Sequence, residues 1–138
     1  MKKIIIAFAA IVCFGLSTAM AQNTNPAITQ FVEQYFPKAT VQMVMPDDDD
    51  IDVVLSDYTK IEFKLNYEWK KVDCEHATTY TSVPTELVPQ QITAYANTNF
   101  AGAIIKKLEK KYSGWEIELS NGLEVKFNNN FSVIDIDD

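Results

Sequence analysis

The chain contains one β-hairpin pattern twice. Trp115-Glu-Ile117-Glu-Leu119 alternates large apolar residues with carboxylates, Leu123-Glu-Val125-Lys-Phe127 does the same, and Ser120-Asn121-Gly122 lies between them. Each five-residue run therefore reads as a strand with one buried face. Ile51-Asp-Val53-Val-Leu55, Ser56-Asp57-Tyr58 and Thr59-Lys-Ile61-Glu-Phe63 give the same unit 64 residues earlier. At that offset, without gaps, Ile28 falls on Ile92, Thr29 on Thr93, Phe31 on Tyr95, Phe36 on Phe100, Ala39 on Ala103, Leu55 on Leu119 and Phe63 on Phe127. Two copies are too few for a solenoid, so the duplication predicts one pseudo-symmetric domain.

Parity fixes the hairpin register. A two-residue Asn-Gly loop would set Leu119 opposite Glu124, a core residue against a surface one. A three-residue loop pairs Leu119 with Leu123, Ile117 with Val125 and Trp115 with Phe127, and places Gly122 at the left-handed position of a type I turn with a G1 bulge. The matching position in the first copy is Tyr58. Strain there of order 1 kcal/mol is preferable to a register slip, which would turn Ile61, Phe63 and Leu65 out of the core at roughly 1.5–3 kcal/mol each.

The N-terminus reads as an export signal: basic Met1-Lys2-Lys3, an apolar run from Ile4 to Leu16, and the small-x-small site Ala19-Met20-Ala21. That run falls short of the ~20 residues that span a bilayer. Val12 before Cys13 argues against a lipoprotein signal, and no later stretch is apolar enough to span. Cleavage before Gln22 leaves 117 of the 138 residues, enough for one domain, expected over residues 22–138 with repeats of about 25–73 and 88–136. Removing Lys2 and Lys3 leaves 10 lysines, no arginine and 19 acids, a net charge of −9. Such a chain is not built for nucleic acid, which needs clustered cations. The one lysine cluster, Lys106-Lys107 with Lys110-Lys111, reads as the solvated face of a strand. Cys74 is the only cysteine after the signal, which leaves a buried thiol or an intermolecular bridge, burial being favoured.

Asn25-Pro26 reads as a capped helix start, and Ile28, Phe31, Val32 and Tyr35 follow at helical spacing until Pro37. Val41, Met43 and Met45 alternate as a strand closed by Pro46 and the acidic run Asp47-Asp48-Asp49-Asp50. After the first hairpin come a turn over Lys64 to Glu68, a fourth strand from Trp69 to Asp73 and a threonine-rich linker over residues 74–88. Pro89 stands for Pro26, with one residue of slippage, before a helix bearing Ile92, Tyr95, Ala96 and Phe100. Ala103 to Tyr112 fits either a helix or a strand with a bulge near Lys106. The shortness of its counterpart, Ala39 to Met45, selects the strand. Phe131 to Ile136 is the expected last strand.

Two copies of a short aromatic-proline helix (Phe36-Pro37), an alternating strand, a Leu-Ser-Asn-Gly turn (Leu119 to Gly122) and a strand ending in Phe before a polar turn resemble the PepSY-like family of exported proteins. That family is described as similar to the β-lactamase inhibitor protein. The resemblance covers nearly all of the mature chain, with departures at Asp57-Tyr58 against Asn121-Gly122 and at Ala101 against Pro37. It implies an α+β fold in which two tandem helix-plus-four-strand repeats share an antiparallel sheet, with helices packed on one face and the other face open. The hairpin pattern agrees: the apolar face needs a cover, and the other face carries Asp52, Glu62, Glu116, Glu118, Glu124 and Lys126. In that register Asp52 opposes Glu62 and Glu118 opposes Glu124, like pairs that cost some tenths of a kcal/mol each.

Catalytic chemistry has no foothold in the sequence. His76 is the only histidine, and Cys74-Glu75-His76 lacks partners at metal-ligand spacing. The Asp47 to Asp50 run lacks the alternating ligands and closing glutamate of a calcium loop. The chain is therefore expected to be a non-enzymatic extracytoplasmic module without a cofactor, presenting its open sheet face and hairpin tips to a protein partner, a hydrolase or another protein; proteins similar to it inhibit hydrolases. Asp47, Asp48, Asp49, Asp50, Tyr58 and Tyr67 form the candidate partner surface. The alternative is a small-ligand or Ca²⁺ carrier.

Overall fold

A computed structural model describes residues 24–138, so the export signal over residues 1–21 and the start at Gln22 lie outside the described residues. Helix α1 (Pro26–Tyr35) starts as its residues require: Asn25 Oδ1 accepts the Ala27 N–H at 2.8 Å, and Pro26 takes the first helical position, where no N–H is needed. Strands β1 (Val41–Pro46), β2 (Asp50–Leu55), β3 (Lys60–Lys64) and β4 (Trp69–Asp73) follow. A connection containing a 3-10 turn (Thr85–Leu87) leads to α2 (Gln90–Asn99), β5 (Ile105–Lys111), β6 (Gly114–Leu119), β7 (Glu124–Asn128) and β8 (Val133–Asp137). Over the described residues the fold is α+β: one antiparallel sheet of eight strands in chain order, with two helices.

The bounds of α2, β6, β7 and β8 are those of α1, β2, β3 and β4 plus 64. The slippage expected at Pro89 is absent, because Pro89 is the N-cap of α2 and not its first residue. Both helices end alike, the Phe36 and Phe100 N–H groups bonding to Val32 and Ala96, although Pro37 follows one and Ala101 the other.

One row of side chains runs across six strands through paired positions: Val53, Ile61, Val72, Leu108, Ile117 and Val125. None is more than 1% exposed. Each such burial is worth roughly 1.5–3 kcal/mol, so this row anchors the register of the sheet. Ile28 and Val32 from α1, its C-cap Phe36 and Ile92 from α2 belong to the same core. Phe31 meets Phe63 edge-on at 5.4 Å and Tyr95 meets Phe127 at 5.5 Å. The helices thus cover the apolar face.

Four bulges adjust this pattern, and one corrects the expected strand faces. The bulge expected near Lys106 is present, with Ile105 and Leu108 both inward. Its counterpart at Gln42 was not anticipated: Val41 and Val44 pack on the core, whereas Met43 and Met45 pair with Val54 and Asp52 on the open face, each 42% exposed. An alternation with apolar residues at both parities cannot announce a change of face. Leu65 is also not core; the strand ends at Lys64 and Leu65 opens the turn. Phe131 belongs to the turn before β8, not to the strand. Nor is the 74–88 linker a loose spacer, since Cys74, Ala77, Val83, Leu87 and Val88 are buried.

Candidate functional site

Four hairpins close through one loop geometry. The third loop residue donates its N–H to the last strand residue at 2.9 Å, as Tyr58 to Leu55, Tyr67 to Lys64, Gly122 to Leu119 and Phe131 to Asn128. That residue is left-handed every time, with φ of 75°, 70°, 89° and 64° respectively. In three loops the middle residue, Asp57, Asn66 or Asn121, accepts the N–H two residues on at 3.0 Å. An Asx side chain favours such a turn strongly enough to force an aromatic into αL behind it. The strain expected at Tyr58 is present, and Tyr67 and Phe131 share it.

Strand direction divides the candidate residues between two ends of the sheet. The Asp47–Asp50 turn (β1 to β2) and Tyr67 (β3 to β4) lie at one end, and Tyr58 (β2 to β3) lies at the other. Asp47 is engaged within its own turn: Oδ1 accepts the N–H groups of Asp49 and Asp50 at 2.9 Å each. Those bonds, Asp50's first and Asp49's next, hold its carboxyl below the ordinary range. Asp50 turns its carboxylate to Lys70 at 2.7 Å. Asp48 and Asp49 are exposed.

The face away from the helices is a lattice of acids and lysines. One row runs Asp52, Glu62, Lys71, Glu109, Glu116, Lys126 and Asp135. The expected like pairs, Asp52 with Glu62 and Glu118 with Glu124, do face each other, but lysines from adjacent strands intervene. Lys107 reaches Glu118 and Glu75 at 2.9 Å and Asp73 at 3.9 Å. Its donation to Glu118, then that to Glu75, raises its ammonium pKa well above the usual lysine range. Burial pushes the Glu62 carboxyl up, against the pull of Lys71 and Lys70. The pairs are half-exposed, so each contributes modestly to stability. Three lysines of the cluster are thereby committed, Lys107 as above, Lys106 to the Thr81 carbonyl and Lys111 to Glu116 at 2.9 Å, whereas Lys110 sits 5.8 Å over the Trp115 ring and, among the described residues, has no carboxylate partner.

At the acidic-turn end this face holds an open groove of about 850 Å³, whose walls include Asp50, Lys64, Leu65, Lys70, Lys111 and Tyr112. Leu65 is 53% exposed and Tyr112 is fully exposed. Sequence reasoning missed both. Tyr112 tips the two-residue β5–β6 turn, held where its carbonyl accepts from Asn129 Nδ2 at 3.1 Å. The usable signal for Leu65 was Asn66-Tyr67, which matches Asp57-Tyr58 and Asn121-Gly122 and so marks the residue before it as loop.

Asp57, expected only as a turn residue, is buried. Its carboxylate accepts the N–H groups of Thr59 at 3.0 Å and Tyr80 at 2.9 Å, and its carbonyl accepts that of Thr78 at 2.9 Å. Burial is the largest effect on its pKa and pushes it up, yet these bonds together outweigh it and hold the carboxyl below the usual range. Tyr80 continues the latch, its hydroxyl accepting the Lys38 N–H at 2.8 Å while its ring meets Phe36. The Thr59 hydroxyl is buried beside Asp57 and Cys74 and meets neither in regular hydrogen-bond geometry. Burial, then the nearby charges of Asp57 and Asp73, push the Cys74 thiol up to about 12. His76 is exposed. Among the described residues, no three His, Cys, Asp or Glu side chains are placed to hold a metal, and no helix is long and apolar enough to cross a membrane.

No curated protein matches the sequence. Residues 49–135 match the family described as "Putative beta-lactamase-inhibitor-like, PepSY-like". A "putative calcium-regulated periplasmic protein" from Bacteroides thetaiotaomicron is 32% identical, with a TM-score of 0.75 over 85% of this chain and 92% of its own. Two periplasmic proteins from Bacteroides vulgatus are similar as well. One is 33% identical with a TM-score of 0.73, over 85% of this chain and 92% of its own. The other, of unknown function, is 28% identical with a TM-score of 0.77, over 86% and 94%. The location is extracytoplasmic, as the sequence reading expected. With the match running from the acidic turn into β8, the chain belongs to the beta-lactamase-inhibitor-like, PepSY-like family.

Proposed function

We propose that this is a non-enzymatic binding module of the extracytoplasmic space, a single domain over residues 22–138 built from two tandem repeats of about 25–73 and 88–136. It presents the open sheet face, at its acidic-turn end, to a protein partner. The observation that carries this reading is the groove bearing Leu65 and Tyr112. Exposed large apolar residues ringed by charge are the composition of a recognition patch, where a few desolvated anchors dominate affinity. Asp48, Asp49 and Tyr67 border that end. Tyr58, at the far end, lies outside this surface.

A cation-linked role is the second reading, favoured by the calcium-regulated description of the 32% identical neighbour. The acidic turn offers little for it: Asp47 is engaged by its own turn and Asp50 by Lys70, leaving Asp48 and Asp49. One experiment separates the two. Mature protein immobilised in an extracytoplasmic extract should retain a stoichiometric partner, lost in Leu65→Ser/Tyr112→Ser and kept in Tyr58→Ser. Retention unchanged by the double substitution refutes the placement of the surface. A melting temperature that rises with calcium, in a protein that retains no partner, replaces the first reading by the second.

A further inference from the structure

The helix side of the same end holds a second cavity of about 270 Å³, lined by Ala27, Phe31, Phe63, Lys64, Tyr67, Glu68, Trp69 and Lys110, of which Lys64 and Lys110 also border the open-face groove. We infer that it binds an aromatic ring bearing a carboxylate, held between Phe31, Tyr67 and Trp69 with its acid toward Lys110. This does not rest on the partner proposed for the open face.

Three observations point there. The wall is aromatic and only partly covered: Phe31 lies 5.4 Å from Phe63 and 6.1 Å from Trp69, and Trp69 lies 6.3 Å from Trp115, yet Phe31, Trp69 and Trp115 all retain solvent exposure. Rings at these separations leave faces and edges for a further ring to join by stacking or edge-on contact. Next, Tyr67 sits on this wall in a left-handed conformation, φ 70°, and is still 38% exposed. Phe131, in the matching turn, recovers its strain by stacking on Trp115, whereas Tyr67 has no ring contact within the described structure. Asn66 sets this backbone as Asp57 sets that of Tyr58, but of the two only the Tyr67 side chain lines the cavity, where a bound ring can meet it. Last, Lys110 on this face lies over Trp115 and, among the described residues, has no carboxylate partner, in contrast with Lys70, Lys71, Lys107, Lys111 and Lys126. Lys64 adds a second cation, tied loosely to Glu68 at 3.4 Å. With Glu68 paired to Lys64, the lining keeps one net positive charge, at Lys110, which favours an anion over a cation.

The test uses the tryptophan fluorescence of the mature protein with 4-hydroxyphenylacetate, tyramine and maltose as probes. The acid should give a saturable change that weakens with salt, and tyramine and maltose should give none. Lys110→Gln should lower affinity for the acid about tenfold, a change of about 1.4 kcal/mol. Tyr67→Gly should lower affinity while raising the melting temperature, a pair of effects that a purely packing tyrosine would not give. Tyr112→Ser, on the open face, should leave binding intact. Acetyl-Gly-Gly-Tyr and its C-terminal amide identify the source. Tighter binding of the peptide acid than of 4-hydroxyphenylacetate, lost on amidation, assigns the site to a chain end, and the reverse order assigns it to a free aromatic acid. Absence of saturable change with either acid, equal binding of tyramine, or binding of maltose overturns the proposal.

Discussion

Two glycines with positive φ offer a controlled test of what holds the β5–β6–β7 corner. Gly122 has φ +89°, and a Cβ built on it meets nothing within 4 Å; Gly114 has φ +153°, and its Cβ would lie 1.9 Å from the Phe127 carbonyl oxygen and 2.8 Å from Asn128 Cα. Gly122→Ala therefore adds only left-handed strain of about 1–2 kcal/mol, offset by about 0.4–1 kcal/mol from a less flexible unfolded chain. At the middle of those ranges the net loss is about 1 kcal/mol. At Gly114 the obstacle is backbone, so β6 must move away from β7 by more than an ångström. That opens the Gly114–Asn128 and Lys111–Gly114 pairings, at about 1 kcal/mol for each hydrogen bond lost, beyond the same strain. Gly114→Ala should cost about 3 kcal/mol, a large share of the roughly 5–15 kcal/mol that stabilise a domain. Thermal unfolding followed by circular dichroism should show a drop of about 10 °C or more, against about 4 °C or less for Gly122→Ala. Equal drops would refute the argument that close approach, and not φ alone, requires glycine at position 114. Because Gly114 directly follows the Tyr112-Ser113 turn, the same substitution should also displace Tyr112 and weaken any partner of the open face.

Alternation made the two hairpins legible, since parity left one register that buries Val53 with Ile61 and Ile117 with Val125. The aromatic turns at Tyr67 and Phe131 were not legible, because propensity disfavours bulky residues at φ > 0 and the compensating Asx acceptor lies elsewhere in the turn, at Asn66 for Tyr67 and at Asn128 for Phe131. Met43 and Met45 were misplaced for a different reason: Val41 to Met45 has apolar residues at both parities, so the bulge leaves no trace in hydrophobicity. The linker looked polar because its buried residues, Ala77, Val83, Leu87 and Val88, are spaced by a path without period. Site features depend on juxtaposition. Lys110 and Tyr67 are 43 positions apart and line one cavity only because the turn bearing Tyr67 leads into β4, which pairs with β5.

The remaining predictions concern single side chains. Asp57→Asn should cost about 1–3 kcal/mol in chemical denaturation, because an amide nitrogen facing the Tyr80 or Thr59 N–H sets donor against donor. The folded-state carboxyl is held low, so its contribution is present above the ordinary value of 3.8 and lost as pH falls through the folded value; acid unfolding should be flatter in that window for the variant. Cys74, its thiol pushed up to about 12, should resist a thiol reagent at neutral pH in the folded protein and react fully once unfolded; rapid native labelling would show the linker to be open. The acidic turn gives the sharpest contrast. Asp48→Ser and Asp49→Ser, which remove charge from exposed positions and leave the Asp47 cap in place, should leave the melting temperature unchanged or slightly raised, since like charges repel. Asp47→Ala should lower it, because the Asp49 and Asp50 N–H groups lose their shared acceptor, and only this variant should lose the stability present above the ordinary aspartate pKa and lost as pH falls through the depressed folded value. A turn that ligates calcium would behave in the opposite way: with calcium present, Asp48→Ser and Asp49→Ser would be the damaging changes, and chelator would erase the difference between them and the native chain.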